Sequence, residues 1–141
     1  MGLIAFLRAN AAWLAAGFLL TFTSSFGQTF FISLFAGEIR AEFGLSNGQW
    51  GGLYTLATTA SALAMVWAGM LTDRYRVRAL GPVVFIGLAL AAIGMALVSS
   101  VWVLVIVVFG LRLTGQGMAN QLAIVAMARW FIATRGKALA I

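Results

Sequence analysis

The chain has 141 residues, of which 63% are hydrophobic and 9% charged, and its formal net charge is +6. A water-soluble domain is usually about 45–50% apolar and about 25% charged, so this composition excludes an ordinary soluble fold and predicts a protein embedded in lipid. The absence of cysteine and histidine excludes disulfides, thiolate or imidazole metal sites and histidine-dependent catalytic pairs.

The remaining polar residues include few groups that could act as catalytic acids, bases or nucleophiles. Glu38, Glu42 and Asp73 are the three acids of the chain, so a site with two catalytic carboxylates is nearly impossible. We therefore expect no enzymatic activity, no metal and no cofactor. The excess of basic residues is explained better by the loops of a membrane protein than by nucleic-acid binding, and we expect no nucleic-acid partner.

Four stretches of the chain are long and apolar enough to cross a bilayer, whose core of about 30 Å needs about 20 apolar residues in a helix. They cover residues 11–35, 49–71, 80–98 and 101–128, and a fifth apolar stretch begins at about residue 138. Because lipid offers no partner to an open strand edge, each stretch should be helical. The sequence thus predicts an all-α membrane protein, an antiparallel transmembrane helix bundle in contact with the lipid bilayer.

The basic residues predict the orientation of these spans. Most of them fall on one side of the predicted membrane, whereas the opposite side has Arg40 alone, beside two acids. Loops rich in lysine and arginine stay on the cytoplasmic side, so the N-terminus is expected in the cytoplasm. The basic residues that set this orientation are Arg8, Arg74, Arg76, Arg78, Arg129, Arg135 and Lys137.

The turn between the second and third spans contains an acid that topology does not explain. In "GMLTDRYRVRAL", residues 69–80, Asp73 lies at the C-terminal end of a predicted helix, where the helix dipole disfavours an acid by a few tenths to about 1 kcal/mol. Asp73 is therefore expected to have a positive partner, and Arg74, Arg76, Arg78 or the N-terminus of a neighbouring helix are the candidates. Gly69, one turn earlier, would let another helix approach closely.

This turn resembles the loop between the second and third helices of the major facilitator superfamily of secondary transporters, with the pattern Gly-x-x-x-Asp-Arg/Lys-x-Gly-x-Arg/Lys. Arg76 stands where the family usually has glycine. The stretches "RLTGQGMANQ" and "RWFIATRGKALAI" also resemble the fourth helix and the loop into the fifth. The resemblance implies a gating loop that stabilises one access state, formed here by Gly69, Asp73, Arg74 and Arg78.

The resemblance also implies an architecture larger than this chain. The family's fold is two six-helix halves that rock around a site at the membrane midplane. The chain would then be an N-terminal fragment, part of the first six-helix half, and the missing C-terminal helices of the same transporter would be its partners. The similarity to bacterial members implies a bacterial inner membrane, and we expect no transport by the isolated chain.

Polar residues inside the predicted spans are the candidates for a substrate cavity or for ion coupling. Arg112 lies near the middle of the fourth span, where a guanidinium costs about 2.5–3.5 kcal/mol on insertion scales. Gln116 and Asn120 follow at intervals of four and should share its helix face. Gln28 in the first span and Tyr54 in the second are the further candidates. No acid lies within a span, so a proton-coupling carboxylate would be missing from this chain, or Arg112 would modulate one elsewhere. The alternative is that Arg112 pairs with an anionic substrate, and a small organic anion is the solute that we expect.

The leading hypothesis is therefore secondary active transport of a small solute by alternating access, as a symporter or antiporter. One alternative is a non-transporting small membrane subunit. A second is a complete four-helix multidrug exporter working as a dimer, although such exporters depend on a carboxylate buried in the first helix. The first span has Glu38 only at its outer end, which argues against that alternative.

Overall fold

The computed structural model describes residues 2–140, and the regular elements within that range are all helical. A 3-10 turn, Ser25–Gly27, separates the second helix from the third, and a π-helical segment, Arg112–Ala119, separates the seventh from the eighth. The α-helices are α1 (Leu3–Ala9), α2 (Ala11–Ser24), α3 (Thr29–Leu34), α4 (Ala36–Phe43), α5 (Asn47–Arg74), α6 (Val77–Ala96), α7 (Val101–Leu111), α8 (Asn120–Trp130) and α9 (Arg135–Leu139).

Three continuous helices are long and apolar enough to cross a membrane: Asn47–Arg74, Val77–Ala96 and Val101–Trp130. Helix α5 extends the stretch expected at 49–71 by a few residues at each end. A capping box begins this helix: Ser46 Oγ accepts a hydrogen bond from Gln49 N at 3.2 Å, and Gln49 Oε1 accepts one from Ser46 N at 2.8 Å. The fifth apolar stretch begins in a helix at Arg135, slightly earlier than expected, and Ile141 lies outside the described residues.

The first predicted span differs from the expected continuous helix. Helix α2 ends at Ser24, and Gln28 has an extended backbone with ψ of 149°, so the helix restarts as α3. On its N-terminal side, α1 meets the following helix at 87°, and the two together have the length and apolarity of a fourth span. Gly27, the last residue of the 3-10 turn before this break, has its backbone pressed against the central helix at Leu111, Gly115 and Gln116.

The first span and the helix α4 that follows it nevertheless run together along the length of the bundle, antiparallel to the long helix Val101–Trp130. Their contacts advance steadily: Gly17 lies against Met127, Gly27 against Gly115, Ile32 packs with Val107 and Leu111, and Ile39 packs with Leu104. The long helix is the centre of the bundle, since 39% of its most apolar 18-residue stretch is buried, whereas the corresponding stretches of α5 and α6 are each 17% buried.

The outer surface of the bundle is apolar. Side chains such as Trp67, Leu97 and Trp102 are 73–75% exposed, and they lie on three different helices or their ends. In water such exposure would be costly, but lipid chains solvate these groups, so the distribution fits a helix bundle whose periphery faces a bilayer.

Candidate functional site

Arg112 is buried near the middle of the long central helix, at the first residue of the π-helical segment. Its side chain is only 8% exposed, and it is the one charged residue among the buried polar residues of the described chain. Its guanidinium Nη1 donates to the carbonyl oxygen of Gly27 at 3.3 Å, to Thr29 Oγ1 at 2.9 Å and to Gln116 Oε1. The break in the first span thus supplies two of its three acceptors.

Tyr54 of α5 completes this cluster from a third helix. Its hydroxyl donates to Thr29 Oγ1 at 3.0 Å, and the Arg112 Cζ atom lies 5.7 Å from the centre of its ring. A cation at that distance from an aromatic face is attracted by the ring quadrupole, by about 0.5–1 kcal/mol at exposed sites and by more when it is desolvated. Helices α3, α5 and the π-helical segment therefore meet around one guanidinium.

All these partners of Arg112 are neutral, so its positive charge remains uncompensated. None of the ion pairs formed within residues 2–140 involves Arg112, and its Nε atom is buried without a hydrogen-bond partner there. Thr58 Oγ1, one helical turn from Tyr54 on α5, is likewise buried and unpartnered among the described residues. An unpaired charge and unsatisfied donors in a desolvated place favour the binding of an anion.

Two glycines bring the break in the first span into direct contact with the central helix. A β-carbon added to Gly115 would lie 2.7 Å from the Gly27 Cα, and one added to Gly27 would lie 2.8 Å from the Gly115 Cα. Small residues allow this approach of two backbones inside a membrane. The π-helical turn is a rare conformation that occurs often at functional sites, and here it sets the positions of Arg112 and Gln116.

The expected stripe of Arg112, Gln116 and Asn120 is only partly formed. Gln116 accepts from Arg112, whereas Asn120 lines a separate cavity of about 460 Å³ between α2, α8 and α9. Its other polar lining residues are Thr21 and Ser25. Spacing by four predicts one face only in a regular α-helix, and the π-helical segment changes that register. Gln28 is the N-cap residue of α3, half-buried, and its neighbour Thr29 makes the contact to Arg112.

At the opposite end of α5, Asp73 has a different partner from those expected. Its carboxylate Oδ1 lies 3.7 Å from Nη2 of Arg129, at the end of α8, rather than beside Arg74, Arg76 or Arg78. The expected positive partner is present, but it is none of the named candidates, because those were cations close in the chain or a helix N-terminus, and Arg129 is a cation distant in sequence. Both side chains are largely exposed, at 82% for Asp73 and 43% for Arg129, so this ion pair adds little stability.

The other residues of the turn are solvent-accessible. Arg74 ends α5 and Arg78 lies in the first turn of α6, and both are exposed. The atom of the described chain nearest to a β-carbon added at Gly69 is Met65 Cε, at 3.8 Å in the same helix. The close helix contact expected at Gly69 is therefore not formed within residues 2–140.

Comparison with known proteins identifies the family. The sequence model of the Major Facilitator Superfamily matches residues 17–141, which is all but the first sixteen residues. The chain belongs to the Major Facilitator Superfamily. No curated protein and no solved structure shows significant similarity to it. As a member of the Major Facilitator Superfamily it is an integral membrane protein of a transporter family, not of an enzyme family.

In this member of the Major Facilitator Superfamily, sequence reasoning did not identify three residues of the polar clusters around Arg112 and Asp73. Gly27 and Thr29 contact Arg112, and Arg129 pairs with Asp73. Only Arg129 gave a usable signal, since the charge pattern already placed it at the same end of the bundle as Asp73. The roles of Gly27 and Thr29 depend on a helix break that apolar patterning does not reveal.

Proposed function

We propose that this chain takes part in secondary active transport of a small organic anion by alternating access. The observation that carries the proposal is the buried guanidinium of Arg112, held by neutral oxygens and unpaired with any carboxylate among residues 2–140. An intramembrane charge costs several kcal/mol to bury, and such residues line substrate or ion pathways.

The class of solute follows from the groups around Arg112. A carboxylate or phosphate can accept from the free guanidinium nitrogens, including the buried Nε that has no partner among the described residues. A separate cavity of about 460 Å³, to which Thr21, Ser25 and Asn120 contribute polar groups, has the size of a small-molecule site, but Arg112 does not line it. The proposed anion site therefore depends on the guanidinium and not on that cavity.

The alternating-access part of the proposal uses the family architecture. These helices would form part of the N-terminal six-helix half, and the remaining helices of the transporter would close the cavity and contact Gly69. The basic residues favour placing the N-terminus and the turn at Asp73 in the cytoplasm, with the protein in a bacterial inner membrane.

Uptake into proteoliposomes tests the proposal. The transporter containing these 141 residues is reconstituted and preloaded with single solutes, and counterflow is measured for labelled monocarboxylates, dicarboxylates and organophosphates. Organic cations of matched size serve as controls. We expect counterflow of at least one anion class and of none of the cations. Counterflow restricted to cations or to neutral solutes would contradict an anion bound at Arg112, and the 141-residue chain alone is expected to accumulate no solute.

The turn at Asp73 gives a second test. We expect Asp73→Asn to change the transport rate by about five-fold, the equivalent of about 1 kcal/mol, because one access state loses its ion pair to Arg129. The melting temperature should hardly change, since exposed ion pairs contribute about 0–1 kcal/mol. Glu42→Gln, which removes an acid from α4 at the other end of the bundle, is the matched control. Equal transport rates for the two variants would exclude Asp73 from gating.

A further inference from the structure

A small pocket at the basic end of the bundle combines three arginines with two tryptophans. The pocket has a volume of about 190 Å³, and besides Val77 it is lined by Trp13, Arg76, Arg78, Arg129 and Trp130. These residues come from three parts of the chain: the start of α2, the turn into α6 and the end of α8. The two indole rings meet edge to face with their centres 4.9 Å apart.

The charge of this pocket is strongly positive. Asp73 is the acid nearest to it, and that carboxylate lies beside Arg129. Arg76 and Arg78 form no ion pair within the part of the chain that the structure describes. Guanidinium groups bind phosphate oxygens through paired hydrogen bonds, and tryptophan is the residue type enriched at the level of lipid headgroups.

An apolar groove continues from the pocket between α2 and α6. It has a volume of about 270 Å³ and shares Val77, Arg78 and Trp130 with the pocket. The rest of its lining is apolar and consists of Ala16, Leu19, Leu20, Gly81, Pro82 and Phe85. Gly81 itself is buried, yet a β-carbon added to it would meet no atom within 4 Å, so the groove has room for a side chain at that residue.

We infer that this pocket and groove bind an anionic phospholipid, with its phosphate among the three arginines and an acyl chain along the groove. The charge selects the headgroup, and the continuous apolar lining selects a molecule that is amphipathic rather than a free anion. Basic pockets between membrane helices are known to favour anionic headgroups, by about 1 kcal/mol for each arginine or lysine at the surface. This inference concerns a different surface from the Arg112 cluster and is independent of the transported solute.

Quenching of tryptophan fluorescence by brominated lipids tests the inference. The 141-residue chain is reconstituted in phosphatidylcholine bilayers in which a fixed fraction of the lipid is either dibrominated phosphatidylglycerol or dibrominated phosphatidylcholine. We expect the phosphatidylglycerol form to quench more strongly, because it brings bromine close to Trp13 and Trp130. The double variant Arg76→Gln/Arg78→Gln should lower the preference for phosphatidylglycerol by at least about five-fold, from the loss of two arginines at the surface.

Two further variants separate a built site from general attraction. Arg135→Gln/Lys137→Gln removes the same charge from exposed residues of α9 outside the pocket, and it should lower the preference by less than about two-fold. Gly81→Leu fills the groove without a steric clash at its β-carbon and keeps all three arginines, and it should reduce the excess quenching by acyl bromines. Equal effects of the two double variants, or no effect of Gly81→Leu, would overturn the inference and would favour diffuse attraction or a protein helix covering the groove.

Discussion

Arg112→Gln is expected to abolish anion transport by the transporter while leaving the helix bundle folded. Removing one member of a buried charge contact costs about 2–5 kcal/mol, which corresponds to a loss of about 30-fold or more in apparent affinity for the solute. The glutamine amide ends at about the position of the arginine Nε, so the variant removes the charge together with the bonds from Nη1 to Thr29 and to the Gly27 carbonyl, while Thr29 keeps its bond from the Tyr54 hydroxyl. The protein should not become less stable, since burying an unpaired guanidinium is itself costly.

A loss of transport without a loss of stability distinguishes a ligand site from a structural arginine. Counterflow measures the function, and the melting temperature of the purified protein measures the stability. Arg112→Lys, which keeps a positive charge but loses the planar fork of donors, should retain part of the transport. Arg135→Gln, an exposed arginine outside the cluster, is the matched control. A variant at Arg112 that melts at a much lower temperature but transports normally would assign the residue to structure alone.

Gly115→Ala is expected to destabilise the helix bundle strongly. The added methyl group would lie 2.7 Å from the Gly27 Cα and 2.8 Å from the Gly27 N, and these are backbone atoms that cannot rotate away. The first span must move off the central helix, and overpacking of this kind typically costs about 1–3 kcal/mol. The displacement also removes the Gly27 carbonyl from Arg112, so anion transport should fall together with stability.

The control for this prediction is Gly52→Ala, on α5. A β-carbon at Gly52 meets no atom within 4 Å, so the substitution should leave packing intact and gain about 1 kcal/mol of helix propensity at most. Unfolding in mixed micelles, followed by circular dichroism, measures both variants under one set of conditions. If the two alanines changed the free energy of unfolding equally, the close approach of Gly27 and Gly115 would have no energetic significance.

The sequence was sufficient for the class of fold and for the choice of the central charged residue. The length of the apolar stretches predicted membrane helices, and the position of a charge inside one of them singled out Arg112, because both arguments follow from the properties of lipid as a solvent. Its actual partners could not be predicted. Thr29 and the Gly27 carbonyl become available only because the first helix breaks at the point where two glycines touch, and that contact is a tertiary event.

The partner of Asp73 and the π-helical segment also depend on tertiary structure that the sequence pattern does not predict. The partner of Asp73 lies 56 positions further along the chain, at Arg129, and packing of α8 beside α5 brings them together. Spacing by four placed Asn120 with Arg112, but that rule assumes regular α-helical turns. Nothing in the pattern of apolar residues signals the wider turns over Arg112–Ala119.

The contact between Gly27 and Gly115 also determines how these two helices can tilt. Both glycines lie near the midpoint of their spans, and they touch without intervening side chains. No side chain separates the two backbones at this contact, so neither helix can slide or rotate past the other there without a change of backbone spacing. Because the Gly27 carbonyl accepts from Arg112, any tilt of the first helix about this contact also changes the position of an acceptor of the guanidinium.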